Sequence, residues 1–161
     1  QVGRDETETA RGGRLMIVEA TEAAYLAGII DGEGSIGIRK HIYKTGKHNN
    51  PGFAVYLEIR MTDKDSLLHI TSVFGGNLSM KGKTKKGRTI FDYKVYGNKA
   101  VDLLKITFPY LKAKQRQARI AIDFSVLPNL TVANSEWLNS QRDARRNLIS
   151  RFNQSGWAIN T

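Results

Sequence analysis

The sequence predicts an α+β fold in the order αββαββα, with additional C-terminal helices and an antiparallel sheet. Three observations point there. Two pairs of segments, 35–42 with 53–62 and 78–81 with 91–96, alternate apolar and polar residues as half-buried strands do. Segments with apolar residues at helical spacing flank each pair. Glycine-containing breaks separate them, at Gly32 and Gly34, at 43–52, at Gly75 and Gly76, and between Gly82 and Gly87. Strands that arrive in adjacent pairs favour antiparallel neighbours over a parallel βαβ arrangement.

Residues 1–14 are polar and Gly-rich, and Arg4, Arg11 and Arg14 balance Asp5, Glu6 and Glu8. They read as a neutral N-terminal arm outside the catalytic unit, ahead of a single domain over 15–161. The first helix is expected to start at Thr21 as N-cap, with Glu22 favourable in its first turn, and to run through Ile30 to the Gly32/Gly34 pair. A strand follows over 35–42, with Ile36, Ile38 and Ile42 on one face and Ser35, Gly37, Arg39 and His41 on the other. Residues 43–52, with Gly46, Asn49, Asn50 and Pro51, read as a long turn. In the next strand Phe53, Val55, Leu57, Ile59 and Met61 interleave with Ala54, Tyr56, Glu58, Arg60 and Thr62. Thr62 with Asp65 is a capping pattern for the second helix, whose Leu67, Leu68, Ile70, Val73 and Phe74 suit a core-facing stripe. Gly75 and Gly76 end it. A hairpin follows, in which Leu78 and Met80 alternate with Ser79 and Lys81, and Phe91, Tyr93 and Val95 with Asp92, Lys94 and Tyr96. Helical patterns at about 98–108, 111–127 and 135–152 complete the chain.

Charge narrows the function. Twenty-five Lys and Arg against 15 Asp and Glu give +10 in 161 residues, and a sequence pI near 9.9. Such an excess favours polyanionic partners through long-range attraction and counterion release. No run approaches the roughly 18 apolar residues that cross a bilayer, and no segment joins a basic face to an aromatic-rich apolar one, so a membrane partner is not expected. The N-terminal residues lack a charged-then-apolar signal pattern. The expectation is an intracellular protein, in cytoplasm, nucleoid or an organelle matrix, and not a secreted one. Without cysteine there is neither a disulfide framework nor a thiolate zinc site, and His41, His48 and His69 are scattered. One sheet face should be apolar under helices. The other carries Arg39, His41, Tyr56, Arg60, Lys81, Lys94 and Tyr96, beside a connection holding Lys81, Lys83, Lys85, Lys86 and Arg88. An alternating charged face is usually just solvated. The bias in sign and the basic connection favour instead a β-ribbon surface fitted to a DNA major groove.

Residues 26–34 read LAGIIDGEG. This string resembles the LAGLIDADG motif of homing endonucleases and related maturases. Leu26, Ala27, Gly28, Ile30, Asp31 and Gly34 are identical to it, and Glu33 stands at the second acidic position. The motif sits at the end of a predicted helix and leads into a strand, as the family requires, and the αββαββα order over about 20–127 also fits. Its residues make physical sense. Ala24 and Gly28, four apart on one helix face, let a second helix approach closely, either from another chain or from the same one. Gly32 and Gly34 allow the tight exit that leaves Glu33 at the helix end. Other acidic and glycine-rich motifs fail: an EF-hand would need Gly and Glu where Ile36 and Ile42 stand, and a phosphate loop would precede its helix.

The motif occurs once, and one carboxylate is a poor site for Mg²⁺, which wants six oxygens. The resemblance therefore implies a LAGLIDADG homing endonuclease fold of the single-motif, homodimeric type, its sheet forming a DNA-binding saddle. Glu33, with the Gly32 carbonyl, would hold Mg²⁺, with Mn²⁺ as an alternative ion and Ca²⁺ supporting binding without efficient cleavage. Lys114, in the segment 109–118, matches a basic residue that approaches the attacked phosphate, although a surface lysine of a basic helix reads the same way. Asp63 aligns with a catalytic-site position that usually holds Gln, and serves equally well as a helix-start residue. DNA contacts would come from Arg39, His41, Tyr56, Arg60, Lys81, Lys83 and Lys94, and the dimer contact from Ala24 and Gly28. The implied activity is site-specific double-strand cleavage of a long, near-palindromic DNA site, leaving short 3′ overhangs. An RNA-binding intron maturase, with intron RNA as partner, and a non-cleaving DNA-binding protein of the same fold are the alternatives.

Overall fold

Ile36, Ile38, Val55, Leu57, Ile59, Tyr93 and Val95 lie on one face of a four-stranded sheet, and every one is buried. The computed structural model describes residues 6–7, 18–42, 51–130 and 133–154. A short strand β1 (Glu6–Thr7) pairs with β2 (Val18–Glu19) apart from the main sheet. The main sheet is built from β3 (Gly34–His41), β4 (Gly52–Met61), β5 (Asn77–Lys83) and β6 (Thr89–Tyr96), in the order β3-β4-β6-β5 with every neighbour antiparallel. Register brings Ile36 opposite Leu57 and Leu57 opposite Val95, so the alternation read in the sequence becomes one continuous apolar face.

Helices α1 (Ala20–Glu33), α2 (Lys64–Phe74), α3 (Gly97–Thr107), α4 (Gln115–Ser125) and α5 (Ser135–Gln154) supply the rest of the core. On α1 the buried side chains are Ala23, Leu26, Ala27 and Ile30, one stripe at helical spacing. The largest fully buried side chain, Tyr93, donates its hydroxyl to the Gly75 carbonyl at 2.8 Å. Burial pushes its phenol well above the ordinary value. Its ring fills the place where a Cβ on Gly76 would stand, 2.6 Å away, and Gly76 has φ +110. No side chain but glycine's fits there. The two sheet edges are managed differently. The β3 edge is covered by α5: Asn153 Nδ2 donates to the Ile36 carbonyl at 2.9 Å, and Lys40 pairs with Asp143 at 2.6 Å. Among the described residues no strand pairs with the outer edge of β5, which is interrupted by a register shift between Met80 and Gly82 and carries Lys81 and Lys83.

The structure corrects several sequence expectations. Strand β2 ends at Glu19, whose extended backbone leads straight into α1. Thr21 is therefore inside the first turn and does not cap it. The helix also continues past Gly32 to Glu33, because the chain turns out only at Gly34, whose N–H still bonds to the Ile30 carbonyl. The cap of α2 is Asp63, one residue beyond Thr62, accepting from the Asp65 N–H at 3.1 Å. Ile42 is 75% exposed beyond the end of β3. The position before it on the core-facing side belongs to Lys40, where apolar cover gives way to the Asp143 ion pair. Finally, α4 starts at Gln115 and not near 111. A 3-10 turn at Phe108–Tyr110 precedes buried Leu111, and the amides of Lys112 and Lys114 are taken by the Asp31 carboxylate. The turn expected at 43–52 lies outside the described residues up to position 50. Among the described residues no helix is long and apolar enough to cross a membrane.

Candidate active site and nucleic-acid interface

A helix ends with carbonyls that lack intrahelical partners and with the negative end of its dipole. On α1 that end is occupied by one side chain from far along the sequence. Lys114 Nζ donates to the Ile30 carbonyl at 2.7 Å and to the Asp31 carbonyl at 2.8 Å. The contact is reciprocal. The Asp31 carboxylate accepts the Lys112 N–H at 2.7 Å and the Lys114 N–H at 2.9 Å, one on each oxygen. Burial lowers the Lys114 pKa, opposed by the negative charges of Asp31 and Glu33. An ammonium has three donors, so one remains for a further acceptor.

Beside this clamp Glu33 is exposed at the last position of α1, and no hydrogen bond or ion pair ties its carboxylate among the described residues. Gly32 is exposed too, with open space where a Cβ would be. A free carboxylate, a glycine carbonyl and the negative helix end are hard oxygen donors that fit a divalent cation such as Mg²⁺. Among the described residues no cluster of three metal-ligating side chains accompanies them. Asp63 has another engagement. Besides the Asp65 amide it accepts the Ser66 hydroxyl at 2.6 Å, and that bond holds its carboxyl below the usual range.

The face of α1 turned away from its own core is made of Thr21, Ala24, Tyr25, Gly28 and Gly32, all exposed. A Cβ on Gly28 would meet nothing within 4 Å, so packing within this chain does not require a glycine there. Tyr25 stands edge-on to His69 with ring centroids 5.7 Å apart, and His69 reaches Glu22 at 2.8 Å.

On the outer face of the sheet two charge patterns occur. At its centre, register sets Glu58 opposite Lys94 and Arg60 opposite Asp92. Arg60 contacts Glu58 and lies 3.6 Å from Asp92, while Lys94 lies 2.9 Å from Asp92 and 3.3 Å from Glu58. Two cations and two carboxylates cancel. Arg60 and Lys94, both expected among the DNA contacts, are ion-paired, with Asp92 only 1% exposed. Next to them the Arg39 guanidinium lies 5.7 Å from the Tyr56 ring and 5.4 Å from the Tyr96 ring, bonding the Tyr96 hydroxyl at 3.4 Å. Tyr56 lies across the β3 backbone, over Gly37, where a Cβ would come within 2.6 Å of the ring.

The β5–β6 connection contrasts with this. Lys81, Lys83, Lys85, Lys86 and Arg88 are exposed and have no acidic partner among the described residues. The turn between the strands is ordered by backbone bonds, Thr84 N–H to the Arg88 carbonyl at 2.8 Å and Gly87 N–H to the Thr84 carbonyl at 2.9 Å. Lys81 sits at the register shift, and Lys83 pairs with Thr89. Because Met61 pairs with Phe91 and Gly34 with Ile59, this connection lies toward the Glu33 end of the sheet, whereas exposed His41 lies at the other end, opposite Gly52. Sequence reasoning missed Asp31, Glu58, Asp92 and Gly37. Glu58 and Asp92 stand at polar positions of the alternating strands, so their signal was present; the bonds of Asp31 had none.

A family model described as LAGLIDADG endonuclease matches residues 26–127 of this chain. No curated protein matches the chain at a significant level. Among solved structures, the chain is similar to the homing endonuclease I-CvuI in complex with its target in the presence of calcium, with 20% identity, 88% of this chain and 87% of that one covered, and a TM-score of 0.69. It is similar to I-CvuI in complex with the I-CreI target in the presence of magnesium, where the DNA is not cleaved, with 19% identity, 86% of each chain covered and a TM-score of 0.67. The archaeal intron-encoded homing endonuclease I-Vdi141I complexed with DNA matches at 15% identity over 88% of this chain and 89% of that one, with a TM-score of 0.64. At such identities the likeness is one of fold.

Proposed function

We propose, from the premise that this chain belongs to the LAGLIDADG endonuclease family, that it is a site-specific DNA endonuclease working as a homodimer with a divalent cation between its subunits. The observation that carries this reading is the end of α1, where an exposed Glu33 carboxylate, without a hydrogen bond or ion pair among the described residues, lies close enough to the ammonium of Lys114 to act on it electrostatically. Glu33 and the Gly32 carbonyl would hold Mg²⁺, or Mn²⁺, and the bound ion would supply activation of water and charge neutralisation at the leaving 3′ oxygen. Lys114 keeps one donor free for a phosphate oxygen and is fixed in place by α1, so it can offset charge developing on the attacked phosphate without reorganising. Asp63, both oxygens of which already serve the start of α2, shapes the neighbouring turn.

Two chains are needed because one offers half a donor set. The Thr21, Ala24, Tyr25, Gly28 and Gly32 face is the natural contact, since its small residues are unused by the chain's own core. Two α1 helices meeting there would bring two Glu33 carboxylates together over two scissile phosphates. DNA would lie along the outer face of each sheet. The unpaired cations of the β5–β6 connection would take phosphates, and Arg39, Tyr56, Arg60 and Lys94 would face base edges.

The test is incubation of the protein with a randomised double-stranded DNA library and Mg²⁺, followed by sequencing of the cut ends. Cuts in both strands of one near-palindromic sequence, with short 3′ overhangs and abolished by a chelator, are expected. No scission with Mg²⁺ or Mn²⁺, together with tight binding of a structured intron RNA, would instead make the protein a maturase.

A further inference from the structure

We infer that Asp31 is a positioning residue for strand cleavage, its carboxylate fixing the segment 112–114 so that the Lys114 ammonium is held at the Glu33 end of α1. The inference rests on the endonuclease reading above and deepens it. Each oxygen of Asp31 accepts one backbone amide, from Lys112 and Lys114 at 2.7 and 2.9 Å, so its carboxylate acts on the segment that carries Lys114. Those amides belong to the irregular stretch between the 3-10 turn and α4, which has no helix or strand ladder of its own. Asp31 stands in for that ladder. Lys114 then closes the loop by returning its side chain to the carbonyls of Ile30 and Asp31.

Four hydrogen bonds thus join two pieces of chain whose bonded residues stand 81 to 84 positions apart in sequence. Three of them involve Lys114. A group meant to stabilise a transition state must be held where charge will develop, and misplacement by about 1 Å can cost on the order of 100-fold in rate. Ordinary fold stabilisation would be satisfied by a bond to either amide. The use of both oxygens, one per amide, fixes the direction of the backbone that carries Lys114 as well as its distance.

Asp31→Asn keeps the shape but replaces one acceptor by a donor, which must then face a backbone N–H. The experiment measures DNA affinity, thermal unfolding and single-turnover cleavage at saturating DNA for the unmodified protein, Asp31→Asn, Lys114→Met and the double variant. Asp31→Asn should cut about 100-fold more slowly with DNA affinity unchanged within about twofold. In the Lys114→Met background the same change should cost less than about threefold, because its effect runs through Lys114. An equal loss in both backgrounds, or a loss of affinity in step with cleavage, would overturn the inference, since a purely structural Asp31 behaves that way. If Asp31→Asn does not fold, Asp31→Glu decides, keeping both acceptors but moving them by one methylene. Slower cutting at native affinity supports the inference, and a native rate overturns it. An unmodified protein that never cuts DNA would remove the endonuclease reading itself, whereas one that cuts no faster than Asp31→Asn removes this inference alone.

Discussion

The end of α1 and the outer face of the sheet both carry charge, but they use it in opposite ways. Around Asp31 and Lys114 the polar groups are joined by short bonds to backbone, and one carboxylate, Glu33, has no bonded partner among the described residues. On the sheet the centre is neutralised by Glu58 and Asp92 against Arg60 and Lys94, and the β5–β6 connection carries only cations, without an acidic partner among the described residues. A free anion in a rigid frame suits chemistry on a phosphate with a cation. Free cations on an exposed turn suit affinity for a phosphate backbone, and a neutral network with fixed geometry suits discrimination. Binding and cutting should therefore be separable by mutation.

The largest separation is expected from Glu33→Gln, which removes the free carboxylate and keeps its size. Single-turnover cleavage should fall by about 1,000-fold, read by denaturing gels, while Kd for the same DNA site stays within about threefold. Next is Gly28→Leu. A side chain there enters open space within one chain, so the subunit should still fold, but two α1 helices could no longer meet closely. Sedimentation should show dissociation, and cutting should be lost with it; an unmodified protein that is monomeric both free and on DNA would break this part of the account.

A smaller effect belongs to the sheet centre. Asp92→Asn takes one charge from a carboxylate that is 1% exposed and leaves Arg60 and Lys94 less constrained. Competition binding should show preference among base-pair variants shrinking by about 1–3 kcal/mol at the affected position, with non-specific affinity rising. Smallest in rate but clear in sign is the salt dependence. Replacing Lys85 and Lys86 by alanine should flatten the slope of log K against log salt by about 0.9 for each phosphate that these two side chains neutralise. Lys94→Ala should flatten it less, because its charge is already paired. Equal slopes for the two variants would mean that the centre and the connection are electrostatically alike.

Much of this was legible in the sequence because it is local. The period-two runs around Val55, Leu57 and Ile59 and the helical spacing of Leu26, Ala27 and Ile30 specify buried faces whatever the tertiary context. The small residues Ala24 and Gly28 likewise announce a helix face that a second helix can approach. What escaped depends on register and on long-range bonds. That Glu58 stands beside Lys94 follows from which β4 residue meets which β6 residue, and alternation alone leaves that open. The start of α4 was misread because apolar spacing continues through Leu111, while the Lys112 and Lys114 amides are drawn to Asp31. Asp63 looked like a site residue and a cap in equal measure, and only the bonds to Asp65 and Ser66 show that its oxygens are engaged.

The separation of binding from chemistry can be tested on one preformed complex. Unmodified and Glu33→Gln proteins are each bound to the same DNA site in Ca²⁺, whose looser coordination fixes an in-line geometry poorly, and excess Mg²⁺ is then added. Both complexes should form equally well; on addition of Mg²⁺ the unmodified protein should cut both strands, and the Glu33→Gln complex should persist uncut. Cleavage by Glu33→Gln at the unmodified rate, or its failure to bind at all, would contradict the assignment of chemistry to the end of α1.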